Sequence, residues 1–286
     1  MDRNEERNVG GKWKSVKGVL AWLGWMAWGF LILLVTATQL APRLQRAFLG
    51  PPTPTPTLTP TPFPPKAAIV DQTGFSFPCP EFIEEAKGYL QEAGYRVDLY
   101  PPEEVTVDFY RTLPSKGYRL ILFQTHSTSV VIAEEKYPPG PFLFTTELYD
   151  KRRYLPLQLD DQVRASKLFY EDSPMLFAVG PKFIRKSMEG RFEDTLIIIG
   201  GCQSMAFLDL AQAFLDKGAS AVIGWDEMVD LSHNNQAVLH LLQALTVEGA
   251  PPKRAVEETM EEIGPDPIYG SSLILLQRET DQARQA

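Results

Sequence analysis

Two residues able to do covalent chemistry stand at equivalent places in the chain. His126 ends one solid apolar run, LILFQTH, and Cys202 ends another, TLIIIGGC. A thiol and an imidazole within hydrogen-bond reach form a minimal acyl-transfer pair: the imidazole takes the thiol proton and later protonates the leaving amine. Each residue alone has a plainer reading. A free cysteine is commonly an inert, buried small hydrophobe, and a histidine at a strand end is commonly structural.

The elements that must position the pair can be read from hydrophobic periodicity. Residues 195–199 are a short β-branched run closed by Gly200 and Gly201, the pattern of a strand buried on both faces. From Ser204 the period turns helical, with Phe207, Leu210, Ala211, Phe214 and Leu215 on one face until Gly218 stops it. Residues 219–224 are a second apolar run, so the unit reads strand, helix, strand, with parallel pairing expected. Cys202 then falls in a strand-to-helix turn at the carboxyl edge of a parallel sheet, where open α/β folds place their sites. A helix N-terminus beside it favours the thiolate, and free backbone N–H groups there can receive an oxyanion.

Composition sets the outer limits. With 286 residues and 44% hydrophobic content the chain can bury a full core in one or two domains. A net charge of −8, with no basic cluster in the soluble part, argues against a nucleic-acid partner. Residues 19–41 are apolar, uncharged and long enough to cross a bilayer, with Trp22, Trp25 and Trp28 near their front end. Arg3, Arg7, Lys12, Lys14 and Lys17 precede them, which puts residues 1–18 in the cytoplasm. A cleaved signal peptide is the alternative, but the run exceeds an ordinary signal core and no small-x-small cleavage site stands out.

Residues 42–66 are rich in proline and threonine, and PPTPTPTLTPTPFPP within them predicts an extended polyproline stalk. Anchor and stalk together predict a single-pass membrane protein whose domain at 67–286 lies outside the cytoplasm. In that domain strands are expected at 67–70, 96–100, 118–124 and 272–277, and helices at 81–93, 106–113, 231–245 and 255–263. Between 127 and 194 the alternation is lost. Strands at 142–144, 157–160 and 175–179 and a helical turn at 181–188 fit an insertion of the kind that shapes a site. The whole predicts a doubly wound, mostly parallel α/β sheet of about six strands.

If the strands carrying His126 and Cys202 are neighbours, both side chains emerge at one sheet edge. Gly201 lets the main chain approach a substrate there. Trp225, Asp226 and Glu227 follow the next strand at the same edge and are candidates to line a substrate pocket, where an acidic floor favours a basic side chain; a solvated acidic loop is the alternative. His233 and His240 stand seven apart on one helix, unlike the i, i+4 spacing of a metal pair, and read as structural. No metal or cofactor is expected. Cys79, in the loop FSFPCPEF, is either a bystander or a disulfide partner able to block Cys202.

A strand ending LILFQTHS, a strand ending IIIGGCQS, then a helix and GASAVIGW resemble the caspase-like cysteine peptidases of clan CD, of clostripain, gingipain and CHAT type. The resemblance runs over residues 67–277. It implies a caspase-hemoglobinase fold, His126 as base, Cys202 as nucleophile, and an oxyanion site made by the backbone N–H groups of Cys202 and Ser127. Members of the group carry glycine directly after the histidine; here Ser127 takes its place. Two functional classes follow. One is a membrane-anchored cysteine endopeptidase cleaving extracytoplasmic polypeptides. The other is a catalytically silent caspase-like binding module on the same stalk. No G-x-G-x-x-G follows the first strand, which disfavours a nucleotide binder.

Overall fold

A computed structural model describes residues 64–128, 140–168 and 172–278. The expected anchor at 19–41 and nearly all of the stalk lie outside the described residues. Among those described, no helix is long and apolar enough to cross a membrane.

The centre is a six-stranded sheet in the order β10-β9-β8-β3-β1-β2. Its members are β1 (Lys66–Asp71), β2 (Arg96–Tyr100), β3 (Leu120–Gln124), β8 (Leu196–Ile199), β9 (Ala221–Trp225) and β10 (Leu273–Gln277). All pairings are parallel except β10 on β9, which is antiparallel. The chain runs from β1 outward to β2, then returns to β3 on the other side of β1. The strand order therefore reverses between β1 and β3, and the crevice above such a reversal is where α/β sheets receive ligands.

Helices cover both faces, as the sequence predicts. Alternate residues of each strand point to opposite sides, so Ile121, Phe123, Ile197 and Ile199 join one apolar cluster while Leu120, Leu122 and Ile198 join the other. The first cluster is closed by α2 (Val107–Thr112), α4 (Pro181–Lys186) and α5 (Asp209–Asp216). The second is closed by α1 (Pro80–Glu92), α6 (Leu231–Leu242) and α7 (Pro252–Glu262). Strands buried on both faces need continuous apolar sequence, and β3 and β8 have it. Thr106 caps α2 as expected, its hydroxyl accepting from the Phe109 N–H at 3.1 Å.

Within 127–194 the described residues build a second sheet of four antiparallel strands in the order β4-β5-β7-β6. These are β4 (Ser127–Thr128), β5 (Phe142–Leu148), β6 (Val163–Ser166) and β7 (Leu176–Val179). Leu143, Val163, Phe177 and Val179 pack into the first cluster, while Phe142, Phe144, Leu176 and Ala178 form a small core on the other side. The strand expected at 157–160 is instead part of a helix, α3 (Leu155–Leu159). Its apolar alternation imitates a strand, but Pro156 has no N–H for a ladder and suits a helix's first turn.

A second difference concerns the turn after β8. The helix expected from Ser204 begins only at Asp209. Gln203 N–H donates to the Glu227 carbonyl at 2.8 Å and Met205 N–H to the Trp225 carbonyl at 2.9 Å, so these backbone groups extend the sheet edge toward β9. The buried Ser204 hydroxyl receives the Trp225 N–H at 3.0 Å and lies 3.4 Å from the Ile199 carbonyl. Gly224 makes room for it, since a Cβ there would stand 2.4 Å from the Ser204 oxygen. Phe207 is left exposed, although the other four residues of the expected apolar face are buried.

Candidate functional site

His126 follows β3 directly and Cys202 lies three residues beyond the end of β8, and these strands are hydrogen-bonded neighbours. Both residues line one cavity of about 210 Å³ at the carboxyl edge of the sheet, on the side of β3 that meets β8 and β9. Thr73 and Phe77 reach it from the segment after β1, Gly200 and Gly201 from just past β8, and residues 228–231 from the loop after β9 and the first residue of α6.

His126 is fixed through its backbone. The Gln72 side-chain oxygen accepts from the His126 N–H at 2.8 Å and stands 3.3 Å from the Thr125 hydroxyl, while the Gln72 amide donates to the Thr145 carbonyl at 3.3 Å. One side chain on the end of β1 thus ties β3 to β5. The imidazole packs edge-on against Phe77 and Phe144, and its Nε2 is buried with no hydrogen-bond partner. Burial lowers its pKa from the usual 6.5 to about 4, so the ring is neutral at pH 7.

Cys202 is also held in a neutral state. Its thiol donates to the Val229 carbonyl at 3.4 Å, and burial pushes its pKa up, with the Asp266 and Asp230 carboxylates adding to the effect. This corrects the expectation of a thiolate favoured by a helix N-terminus, because α5 starts seven residues further on. The carbonyl of Cys202 accepts the Ser127 hydroxyl at 2.6 Å. The Phe144 N–H donates to the His126 carbonyl at 3.0 Å, so Ser127 opposite Leu143 is a pair that exchanges no ladder bonds. That register leaves the Ser127 N–H outside the β4–β5 ladder.

The remaining sequence candidates divide. Gly201 lines the cavity, and a Cβ on it would lie 2.4 Å from the Thr125 carbonyl oxygen. Trp225 does not line it: the indole is completely buried, packed on His233, and donates to Asn234 Oδ1 at 2.8 Å. Asp226 accepts the Ser272 N–H at 2.8 Å and Glu227 accepts the Gln203 amide at 3.3 Å, and neither reaches the cavity.

In their place stand Met228, Val229, Asp230 and Leu231, one step further along the loop, together with Asn234 and Tyr269. The apolar patch Met-Val beside an N-cap aspartate was the available signal for the first group. Nothing local in the sequence marks Tyr269, which is brought in by the turn before β10.

His233 contacts the Gly264 carbonyl and His240 contacts the Thr259 hydroxyl, each joining α6 to the region of α7. Cys79 and Cys202 are free thiols, and Cys79 receives the Asn235 amide at 3.5 Å. Among the described residues no group of three or more histidine, cysteine and carboxylate side chains is placed to hold a metal ion.

No family model matches the chain, and none of the curated proteins matches it. Similar solved structures include the Arg-specific cysteine proteinase gingipain R, with TM-score 0.42 and 10% identity over 71% of this chain and 44% of that one. Another is the complex of Porphyromonas gingivalis RgpB pro- and mature domains, with TM-score 0.42 and 11% identity over the same shares. The chain therefore spans less than half the length of these structures.

Proposed function

We propose that the protein is a cysteine peptidase of caspase-like architecture, acting on polypeptides through His126 and Cys202. The observation that carries this reading is the shared cavity: an imidazole and a thiol that follow adjacent parallel strands line one space at the carboxyl edge of the sheet. The unpartnered His126 nitrogen supplies a base to the cavity that the thiol also lines, and in the mechanism the thiol turns from the Val229 carbonyl to that nitrogen.

In this reading both groups start neutral. As Sγ attacks the scissile carbonyl, its proton passes to the imidazole and the S–C bond forms. The oxyanion is received by the N–H groups of Cys202 and Ser127. The imidazolium then gives its proton to the departing amine as the C–N bond breaks. Water, losing a proton to the imidazole, attacks the thioester to release the acid and restore the thiol. Placing the chain on the outer side of a membrane, behind the anchor at 19–41, belongs to the same proposal.

The test is hydrolysis of a peptide panel by the wild type, Cys202→Ala and His126→Ala. Turnover lost by at least 10³-fold in both variants is the expected result. Turnover unchanged in Cys202→Ala overturns the mechanism. Peptide binding without turnover in any form points instead to the silent binding module. Protease protection of the N-terminus and not of the C-terminus in sealed cells tests the orientation.

A further inference from the structure

The chemistry of the cavity lining specifies a side chain, and it is not the basic one that the acidic sequence after β9 predicts. Five of the lining residues are Phe77, Met228, Val229, Leu231 and Tyr269, and among the described residues no lysine or arginine lines the cavity. Phe77, Met228 and Tyr269 are also 38%, 37% and 48% exposed, an apolar rim facing solvent around the entrance.

The carboxylates of this edge are already engaged. Asp230 caps α6, one of its oxygens accepting the Ser232 N–H at 2.9 Å and the His233 N–H at 3.3 Å. Asp266, 2% exposed, accepts the N–H groups of Ile268, Tyr269 and Asp230, each at 2.8 Å. Asp226 is bound to the Ser272 N–H and Glu227 to Gln203, as above.

We infer that the cavity beside Cys202 takes the side chain of a large apolar residue, such as leucine, methionine or phenylalanine, next to the bond presented to the thiol. This rests on the reading of the cavity as a substrate site. At about 210 Å³ it has room for such a side chain. An arginine or lysine entering it exchanges water for Phe77, Val229 and Leu231 and finds, among the described lining residues, one carboxylate, Asp230, whose capping role holds it in place. An aspartate or glutamate finds no cation among the described residues that line it. The apolar side chain, by contrast, removes its own surface and that of the exposed rim from water together.

The experiment uses the full-length Cys202→Ala chain, so that binding is read without turnover. Capped glycine-alanine pentapeptides carrying leucine, phenylalanine, arginine or aspartate at one central position are titrated by fluorescence anisotropy. Leucine and phenylalanine peptides bind about 10- to 100-fold tighter than the arginine and aspartate peptides, the gain expected from burying one such side chain. Met228→Glu in the same background, at a partly exposed position where thermal unfolding checks the fold, weakens the leucine peptide by tenfold or more and strengthens the arginine peptide.

Equal binding of all four, preference for arginine or aspartate, or no binding of any peptide overturns the inference. The same peptides offered to the wild type separate the two claims. Apolar preference in binding without hydrolysis keeps the specificity and removes the peptidase. Hydrolysis led by the arginine peptide keeps the peptidase and removes the specificity.

Discussion

The Ser127 hydroxyl donates to the backbone carbonyl of Cys202 at 2.6 Å, joining the first residue of β4 to the turn that carries the thiol. A glycine at 127, as the clan CD resemblance leads one to expect, has no group to make this bond. The serine adds an anchor across the two chain segments of the candidate site.

Ser127→Ala removes that anchor and is expected to cost about 1 kcal/mol in urea unfolding, the net worth of one such bond. Ser127→Gly costs about 0.5–1 kcal/mol more, through the entropy of the unfolded chain. Identical midpoints for wild type and Ser127→Ala would show the bond to be idle.

Gly201→Ala and Gly88→Ala should move stability in opposite directions. A Cβ at 201 would meet the Thr125 carbonyl oxygen at 2.4 Å and the Ser127 hydroxyl at 2.6 Å, so the two strand ends must part, at about 1–3 kcal/mol or more. A Cβ at 88, within α1, meets nothing within 4 Å, and alanine there stabilises by about 0.5–1 kcal/mol. Paired thermal melts of the two variants read the difference directly.

His126 makes the fold sensitive to acid in a defined window. Its pKa is about 4 when folded against the usual 6.5, so between those values the unfolded chain binds the extra proton. Stability is complete above pH 6.5, falls as the pH drops toward 4, and loses about 3 kcal/mol from this group by then. Carboxylates contribute their own acid loss, so the quantity to measure is the difference from His126→Phe. That variant also removes an unpaired buried nitrogen, so it should equal or exceed the wild type at pH 7 and show a shallower decline below it, while losing turnover. A wild type and variant with parallel pH profiles would contradict a buried neutral imidazole.

Because burial raises the Cys202 pKa, alkylation by iodoacetamide at pH 7 is expected to be slower than for a free thiol and to climb on raising the pH past 9. The peptidase reading adds that His126→Ala slows the labelling at pH 7 further. Histidine-independent labelling would count against the pair acting together.

The parts of this architecture written in continuous patterns could be read from sequence: the βα alternation, the Thr106 cap, the two apolar strands and the edge at which they end. The rest depends on where distant backbone groups go. Helix α5 starts late because the Gln203 and Met205 N–H groups go to the Glu227 and Trp225 carbonyls, just past and at the end of β9, rather than to a first helical turn. Trp225 is drawn inward by Asn234, nine residues on, and no local period announces that bond. Leu157 alternates with polar neighbours as a strand does, and only Pro156 warned otherwise. Tyr269 reaches the cavity by topology alone.

The stretch that reads as an insertion contributes Leu143, Val163, Phe177 and Val179 to the same cluster as Phe123 and Ile199. It is a wall of the main building and not an annex. An engineer trimming the chain to a minimal scaffold by splicing 127 to 194 would uncover the face of the sheet that Phe123 and Ile199 line, and would obtain a chain that aggregates, not a smaller version of the molecule.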